Sequence, residues 1–377
     1  MRIAVNTRFL NKNNSDGISR YTFETLSRLT SGHPEHQFIF FFDRAFDKEI
    51  IYGENVTPVV IGFPARHPFL WFMWFEFAIT KALEKYKADL FFSPDGFMSL
   101  RTKVPSFIVI HDINFFHRPK DLPLLSRIYY NYFFPRFARK ARMISTVSKF
   151  SKRDIASAYN IEMSKIEVNY NGVTTDFRPS DDTEKKIVKD KFTAGKPFFI
   201  FIGNIHPRKN LINLLKAYDH FRSGSGKEIK MVIIGEKLFM NKDLNKVYQD
   251  LVFHKDVIFT GYLNTDELIR LLSSAEALTF VPYFEGFGLP ILEAMMCDVP
   301  VITSNVTSLP EIAGDAAIYA DPSDYLSISE AMKLLIFTPG KKNDLIQKGR
   351  IQSEKFSWHK TTEGLWETIQ NIEKQNA

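Results

Sequence analysis

At 377 residues the chain is too long for one ordinary core, so two domains are expected. Hydrophobic residues at 45% and charged residues at 24% describe a soluble globular protein, and a formal charge of +6 suits nucleic acid, anionic lipid or phosphorylated small ligands equally. The single Cys297 excludes a disulfide framework, and in its apolar helical stretch it reads as a buried structural residue rather than a nucleophile.

The first predicted strand, Ile3–Val5, begins almost at the first residue, with no signal-peptide core before it. No stretch approaches the roughly 18 uncharged apolar residues of a membrane span, so a cytoplasmic protein, soluble or peripheral, is expected. A Ser15-Asp16-Gly17-Ile18 loop then precedes a helix through Tyr21, Leu26 and Leu29. Glycine there would let the backbone approach a phosphate closely, although an ordinary turn explains the loop as well. Strands follow at Phe38–Phe42, Asp89–Phe92, Phe107–Ile110 and Met143–Val147. The excess of phenylalanine, 36 residues, gathers in Pro68-Phe-Leu-Trp-Phe-Met-Trp-Phe-Glu-Phe77 and Tyr129-Tyr-Asn-Tyr-Phe-Phe134, the latter followed by Arg136, Arg139, Lys140 and Arg142. A helix apolar almost all round either packs between a sheet and its neighbours or lies on lipid, where aromatic residues beside basic ones suit headgroups; the pattern allows both.

The rhythm breaks at Thr174–Pro197, a polar connection with room for a short helix. Strands resume at Phe198–Ile202, Met231–Ile234, Val257–Thr260, Ala277–Val281 and Val301–Thr303. Continuous apolar runs between helices indicate parallel sheets covered on both faces. The class is α/β, with two doubly wound domains at residues 1–178 and 179–355. The tail, 356–377, carries Trp358, Leu365, Trp366 and Ile369 at helical spacing, an apolar stripe expected to pack back on the first domain.

Doubly wound sheets bind ligands at the carboxyl ends of their strands, so the residues just after strands carry the chemistry. The richest such segment is Phe284-Glu285-Gly286-Phe287-Gly288-Leu289-Pro290-Ile291-Leu292-Glu293. A strand, a glycine loop and a helix start, with Pro290 suited to the first helical position, make a cradle for an anionic, hydroxyl-rich ligand. After another strand comes Gly203-Asn-Ile-His206-Pro207-Arg208-Lys209-Asn210-Leu211, in which Asn210 is a good N-cap. Arg208 and Lys209 then sit at a helix N-terminus, against the helix dipole, a cost that an anion would remove. Taken with the glutamate loop, they read as a phosphate site. His111 directly follows Phe107–Ile110 and is either a hydrogen-bonded structural residue or a contact to a reacting group. Glu311 is a peripheral ligand contact or an acidic residue favourable in a first helical turn. Asn171-Gly172 is a turn signal that needs no function. There is no Walker A sequence, no dinucleotide fingerprint, no Cys/His cluster for zinc and no Asp-x-Asp pair for a cation-held diphosphate.

The Glu285-x7-Glu293 loop resembles the signature of the retaining glycosyltransferases of family 4, which have the GT-B fold: two Rossmann-like domains facing across a cleft, with a C-terminal crossing helix. Pro207-Arg-Lys-Asn-Leu211, Val109-Ile-His-Asp112, Asp16-Gly-Ile-Ser-Arg-Tyr21, Asn171-Gly-Val173 and Ser308-Leu-Pro-Glu-Ile-Ala-Gly314 are similar to further family blocks, in the family's order and along essentially the whole chain. The resemblance implies that Glu293 binds nucleotide ribose hydroxyls, and that Glu285 faces the donor sugar with backbone amides around Phe287, Gly288 and Leu289. It implies that Arg208 and Lys209 neutralise the departing diphosphate, that Gly17 lies near it, that Gly203 and Asn204 belong to the donor-binding residues, and that His111 approaches the anomeric carbon. Many members carry Arg directly after Gly203; here the residue is Asn204, so the charge falls to Arg208.

The implied reaction is transfer of a hexose with retention and without a metal or other cofactor. The donor would be a nucleoside diphosphate sugar, GDP-mannose first and a UDP-sugar next, because the blocks look most like those of polysaccharide-assembling mannosyltransferases. The implied partners are a glycan or lipid-linked acceptor and an anionic membrane surface at the inner face of the cytoplasmic membrane, with no nucleic acid. A GT-B epimerase or phosphorylase, or a non-catalytic binding protein of the same build, remain the alternatives.

Overall fold

Strands with two apolar faces are buried only when they lie side by side with helices above and below, and the chain folds in this way. A computed structural model describes residues 1–10, 17–51, 53–235 and 242–376. The chain divides into two units, Met1–Gly172 with Ser357–Ala377, and Val173–Phe356, each around its own parallel sheet.

The first sheet contains β1 (Arg2–Asn6), β2 (Gln37–Phe42), β3 (Val56–Val60), β4 (Leu90–Ser93), β5 (Ser106–Val109), β6 (Met143–Thr146) and β7 (Ile166–Val168). Their order is β3-β2-β1-β4-β5-β6-β7, with Ile3 of β1 in register with Phe38 of β2 on one side and Leu90 of β4 on the other. The second sheet contains β8 (Phe198–Ile202), β9 (Lys230–Ile234), β10 (Val257–Gly261), β11 (Ala277–Phe280), β12 (Val301–Ser304) and β13 (Ala317–Ala320), in the order β10-β9-β8-β11-β12-β13. Strand order reverses once in each sheet, between β1 and β4 and between β8 and β11. The α/β, doubly wound reading of the sequence is the observed architecture. All ten predicted strands are present; β3, β7 and β13 are additional, and each lies on a sheet edge.

The polar connection contains a helix, Asp182–Thr193, whose N-cap Asp181 accepts the Glu184 N–H at 2.8 Å. The helix Trp358–Asn376 belongs to the first unit. The rings of Trp358 and Tyr21 meet edge-on at 6.0 Å, and Trp366 stacks on His33 at 3.5 Å. Gly172 is more than a turn residue: a Cβ there would fall 2.0 Å from the Trp358 backbone nitrogen, so a side chain would push this helix off the unit.

The aromatic segments answer the open choice in two halves. Pro68–Met73 is a helix that passes through a π-helical turn, Trp74–Ile79, and Trp74 and Phe75 are fully buried. Tyr129, Phe134 and Phe137 of the helix Leu124–Lys140 are also core residues. The buried Glu76 among them accepts the Leu100 N–H at 2.9 Å and caps that turn rather than facing a ligand. Phe69, Leu124, Leu125, Ile128 and Tyr132 remain exposed. Among the described residues, no helix is long and apolar enough to cross a membrane.

Candidate active site

Two segments leave the second sheet at its reversal point, one after β8 and one after β11, where a doubly wound sheet opens its ligand crevice. After β8, Gly203 adopts φ +142 and donates its N–H to the Ile234 carbonyl at 3.0 Å, while Asn204 is exposed. Pro207–Lys209 is a single 3₁₀ turn directly ahead of the helix Leu211–Ser225, and His206 Nδ1 accepts the Arg208 N–H at 3.3 Å.

Asn210 does not cap that helix with its side chain as the sequence suggested. Its backbone is left-handed, φ +63, whereas a capping side chain reaches the first helical N–H groups from an extended backbone. The Nδ2 group instead donates to the carbonyls of Val281 at 2.9 Å and Pro322 at 2.7 Å. One buried amide thus ties the basic turn to the segments that follow β11 and β13. Asn213 strengthens the tie, donating to the Tyr283 hydroxyl and to the Pro322 carbonyl, each at 2.9 Å.

The loop after β11 brings Glu285 onto this turn. Arg208 Nη1 lies 2.5 Å and Lys209 Nζ 2.6 Å from the same carboxylate oxygen, Oε2, and Arg208 also donates to the Phe284 carbonyl at 3.1 Å. The Tyr283 N–H returns a bond to the Arg208 carbonyl at 2.9 Å, and the Lys209 ammonium sits 4.7 Å above the Phe280 ring. Burial pushes the Glu285 carboxyl up, but the charges and hydrogen bonds of Arg208 and Lys209 outweigh it and hold the group below the usual carboxylate value. Glu285 is therefore ionised at neutral pH, and the anion that the sequence argument required for the two cations is supplied from within the chain.

Ser308 fixes the loop from behind, its hydroxyl donating to the carbonyls of Glu285 at 2.9 Å and Phe287 at 3.3 Å. Gly288 has φ +102, and a Cβ there would stand 2.8 Å from Leu309 Cδ2, so glycine is required by both backbone and space. The helix Leu289–Met296 starts one residue before Pro290, which is thus at its second position rather than its first. Glu293 lies one turn in and is 4% exposed; Phe287 is buried with its ring edge-on to Phe356 at 5.8 Å. Glu311 lies in the first turn of the helix Leu309–Ala313. Cys297 is fully buried and its thiol is pushed up to about 12, mainly by that burial, in keeping with a structural role.

In the first unit His111 follows β5, donates Nε2–H to the Pro94 carbonyl at 2.8 Å and meets the Tyr21 ring edge-on at 4.7 Å. That bond sets the Nε2–H tautomer of the neutral ring. Gly17 is the exposed first residue of the helix Gly17–Gly32; Ser15 and Asp16 lie outside the described residues. The reversal point of this sheet carries a buried network that the sequence reading passed over. Asn6 Nδ2 donates to Asp95 Oδ1 at 2.7 Å, and Asp95 pairs at 3.3 Å with Arg8, whose guanidinium lies 4.3 Å from the Phe97 ring centre. Its signal was available, since Asn6 ends one strand and Asp95 follows another.

The family described as Glycosyltransferase Family 4 matches residues 15–177, and that described as Glycosyl transferases group 1 matches residues 182–352. The O-antigen chain mannosyltransferase B of Escherichia coli is 28% identical over 357 residues, which is 92% of this chain and 93% of that one. Sucrose-phosphate synthase from Thermosynechococcus elongatus shares the fold at a TM-score of 0.78 and 15% identity, over 99% of each chain. Anabaena HepE, solved in complex with UDP and glucose, aligns at a TM-score of 0.73 and 14% identity, over 98% of this chain and 100% of its own.

Proposed function

We propose a donor and a mechanism for a chain that belongs to the glycosyltransferases, its first half of the family 4 type, its second half of group 1, and its fold GT-B. It moves a hexose, mannose by preference, from a nucleoside diphosphate sugar to a glycan or lipid-linked acceptor of a surface polysaccharide, with retention at the anomeric carbon and without a metal. The observation that carries this reading is the Arg208–Glu285–Lys209 cluster at the reversal point of the second sheet. As the glycosidic bond breaks, negative charge grows on the leaving phosphate, and cations already held in place stabilise it without further reorganisation.

A diphosphate carries more charge than one carboxylate, so it competes with Glu285 for both cations and turns the carboxylate toward the donor sugar. Glu293, one turn into its helix, takes the ribose hydroxyls, and the amides around Phe287, Gly288 and Leu289 take sugar hydroxyls. Gly203 and Asn204 line the nucleotide, with Arg208 carrying the charge that Asn204 lacks. Gly17 and His111, which the family resemblance assigns to the donor, belong to the first unit, where the Pro94 carbonyl fixes the His111 ring. Likeness to an O-antigen mannosyltransferase favours GDP-mannose, with a UDP-sugar second.

Screening nucleoside diphosphate sugars for thermal stabilisation tests the reading, because a ligand at a hundred times its Kd stabilises by about 2.7 kcal/mol. GDP-mannose is expected to raise Tm most, and transfer is expected to proceed in EDTA with an α-configured product from an α-configured donor. An inverted product would exclude retention. A stabilising donor that releases no nucleoside diphosphate would make the chain a binding protein.

The acceptor side involves a membrane. Leu124, Leu125 and Ile128 are 54–58% exposed along one helix, and on the same helix the Arg136 guanidinium lies 3.6 Å from the Tyr132 ring centre. Apolar side chains beside cations suit an anionic interface. Sedimentation with phosphatidylglycerol vesicles is expected for the unmodified chain and is expected to weaken in Leu125→Glu/Ile128→Glu; indifference to that pair rules the strip out.

A further inference from the structure

The first sheet has a second end, where β5 and β6 begin, and an open cavity of about 830 Å³ lies there. Its walls carry Lys103, Lys140, Arg142 and Lys165. Ser106, which lines it, and His111 beyond the other end of β5 are separated by roughly 16 Å of strand rise, so the cavity is distinct from the end of the sheet that bears His111.

The cations at this cavity are anchored mainly by neutral oxygens. Lys140 Nζ donates to the carbonyls of Leu100 and Thr102, the latter at 2.8 Å, and Lys165 Nζ donates to the Arg139 carbonyl at 2.5 Å. Arg142 donates to the Gln375 side-chain oxygen at 2.6 Å. Among the described residues, none of these cations has a carboxylate within ion-pair distance. The one carboxylate on the walls, Glu162, accepts the Ser164 hydroxyl at 3.3 Å instead. Backbone carbonyls thus anchor two ammonium groups at the wall, where long lysine chains would otherwise spread their charge into water. Burial lowers the pKa of both lysines; the Glu76 carboxylate partly offsets this for Lys140, whereas for Lys165 the neighbouring Arg142 charge lowers it further. Holding like charges together and partly desolvated costs stability, and an anion in the cavity would relieve that cost.

We propose that this cavity is a binding site for a phosphate group, separate from the donor site and carried by either a membrane lipid headgroup or a free phosphorylated solute. The donors of Lys103, Lys140, Arg142 and Lys165 supply the charge-assisted hydrogen bonds that phosphate oxygens take. Because the cavity shares no residue with the Arg208–Glu285–Lys209 cluster, its failure would leave the donor reading untouched.

The test uses inorganic pyrophosphate and the full-length chain. In Arg208→Ala/Lys209→Ala, which disables the donor site, calorimetry is expected still to detect pyrophosphate binding. Adding Lys103→Glu and Arg142→Glu is expected to weaken it by about tenfold or more for each cation reversed. Both residues are exposed, so the melting temperature is expected to hold; Lys103→Gln/Arg142→Gln replaces the pair if it does not. No binding in the donor-site variant, or binding indifferent to the cavity substitutions, overturns the proposal. Vesicles then identify the source. If the cavity substitutions also reduce sedimentation with phosphatidylglycerol but not with phosphatidylcholine, the phosphate belongs to a lipid. If sedimentation is unchanged while pyrophosphate binding is lost, it belongs to a soluble ligand.

Discussion

Replacing Lys209 with alanine separates catalysis from stability, and the structure sets both magnitudes. The ammonium is one of two cations on Glu285 Oε2, and its removal leaves Arg208 in place at 2.5 Å. Leaving a buried charge wholly unpaired costs about 3–5 kcal/mol, but Glu285 keeps one partner and its side chain is 14% exposed, so about 1–2 kcal/mol is expected. For a unit of this size that lowers Tm by roughly 2–8 °C. Removing a preorganised donor from a growing oxyanion costs about 10²–10³ in kcat, far more than the stability loss can explain. The assay is nucleoside diphosphate release from the donor that stabilises the chain best, run beside a circular dichroism melt. Lys209→Arg is expected to recover the melt but only part of kcat, since a planar guanidinium cannot reproduce a point charge over Phe280. Turnover of Lys209→Ala within about threefold of the unmodified chain would refute the electrostatic role, because it would leave no more than about 0.7 kcal/mol of transition-state stabilisation to that cation.

Three further outcomes follow from the same geometry. The folded pKa of Glu285 lies below its unfolded value, so its contribution to stability is fully present above about pH 4.3 and is lost as pH falls through the lower folded value; the Tm difference between the unmodified chain and Glu285→Gln should be level at neutral pH and shrink on acidification, and a difference that grows below pH 4 would contradict the ion pairing. Asn210→Ala loses two hydrogen bonds and forces alanine to φ +63, whereas Asn210→Gly loses only the bonds; urea midpoints should rank glycine above alanine by about 1 kcal/mol. Gly288→Ala meets both a left-handed backbone and Leu309, and thermal melts should show about 2–3 kcal/mol of destabilisation together with weaker donor binding; a neutral substitution would mean the loop conformation is not the one described.

What was legible in the sequence divides along physical lines. Strands buried on both faces, such as Phe198–Ile202 and Phe38–Phe42, announce themselves by composition alone. The three that were missed are all edge strands, where one backbone side faces no neighbour and the demand for apolar residues relaxes: β3 contains Pro58, β7 is only Ile166–Val168 with Glu167 in its centre, and β13 reads Ala317-Ile-Tyr-Ala320. The aromatic segments were ambiguous because they serve two surfaces at once. Trp74 and Phe75 fill the core while Phe69 and Phe77, on the same run, do not.

The site was legible as residues but not as a cluster. Sequence separation hid the meeting of Glu285 with Arg208 and Lys209, which depends on β8 and β11 being neighbours across the reversal of strand order. Once they meet, the two sequence arguments become one. Two cations on a turn ahead of a helix repel each other and the dipole, and a single ionised glutamate removes most of that cost. It also holds both side chains at fixed positions, anchored from behind by Asn210 and Ser308. The same carboxylate that stabilises the unit therefore keeps its cations aimed for a diphosphate, and a ligand of higher charge needs only to take its place, without ordering two long side chains from solution. That shifts the entropic cost of organising the charge from the binding step to the folding step, where Asn210, Ser308 and the sheet supply the rigidity.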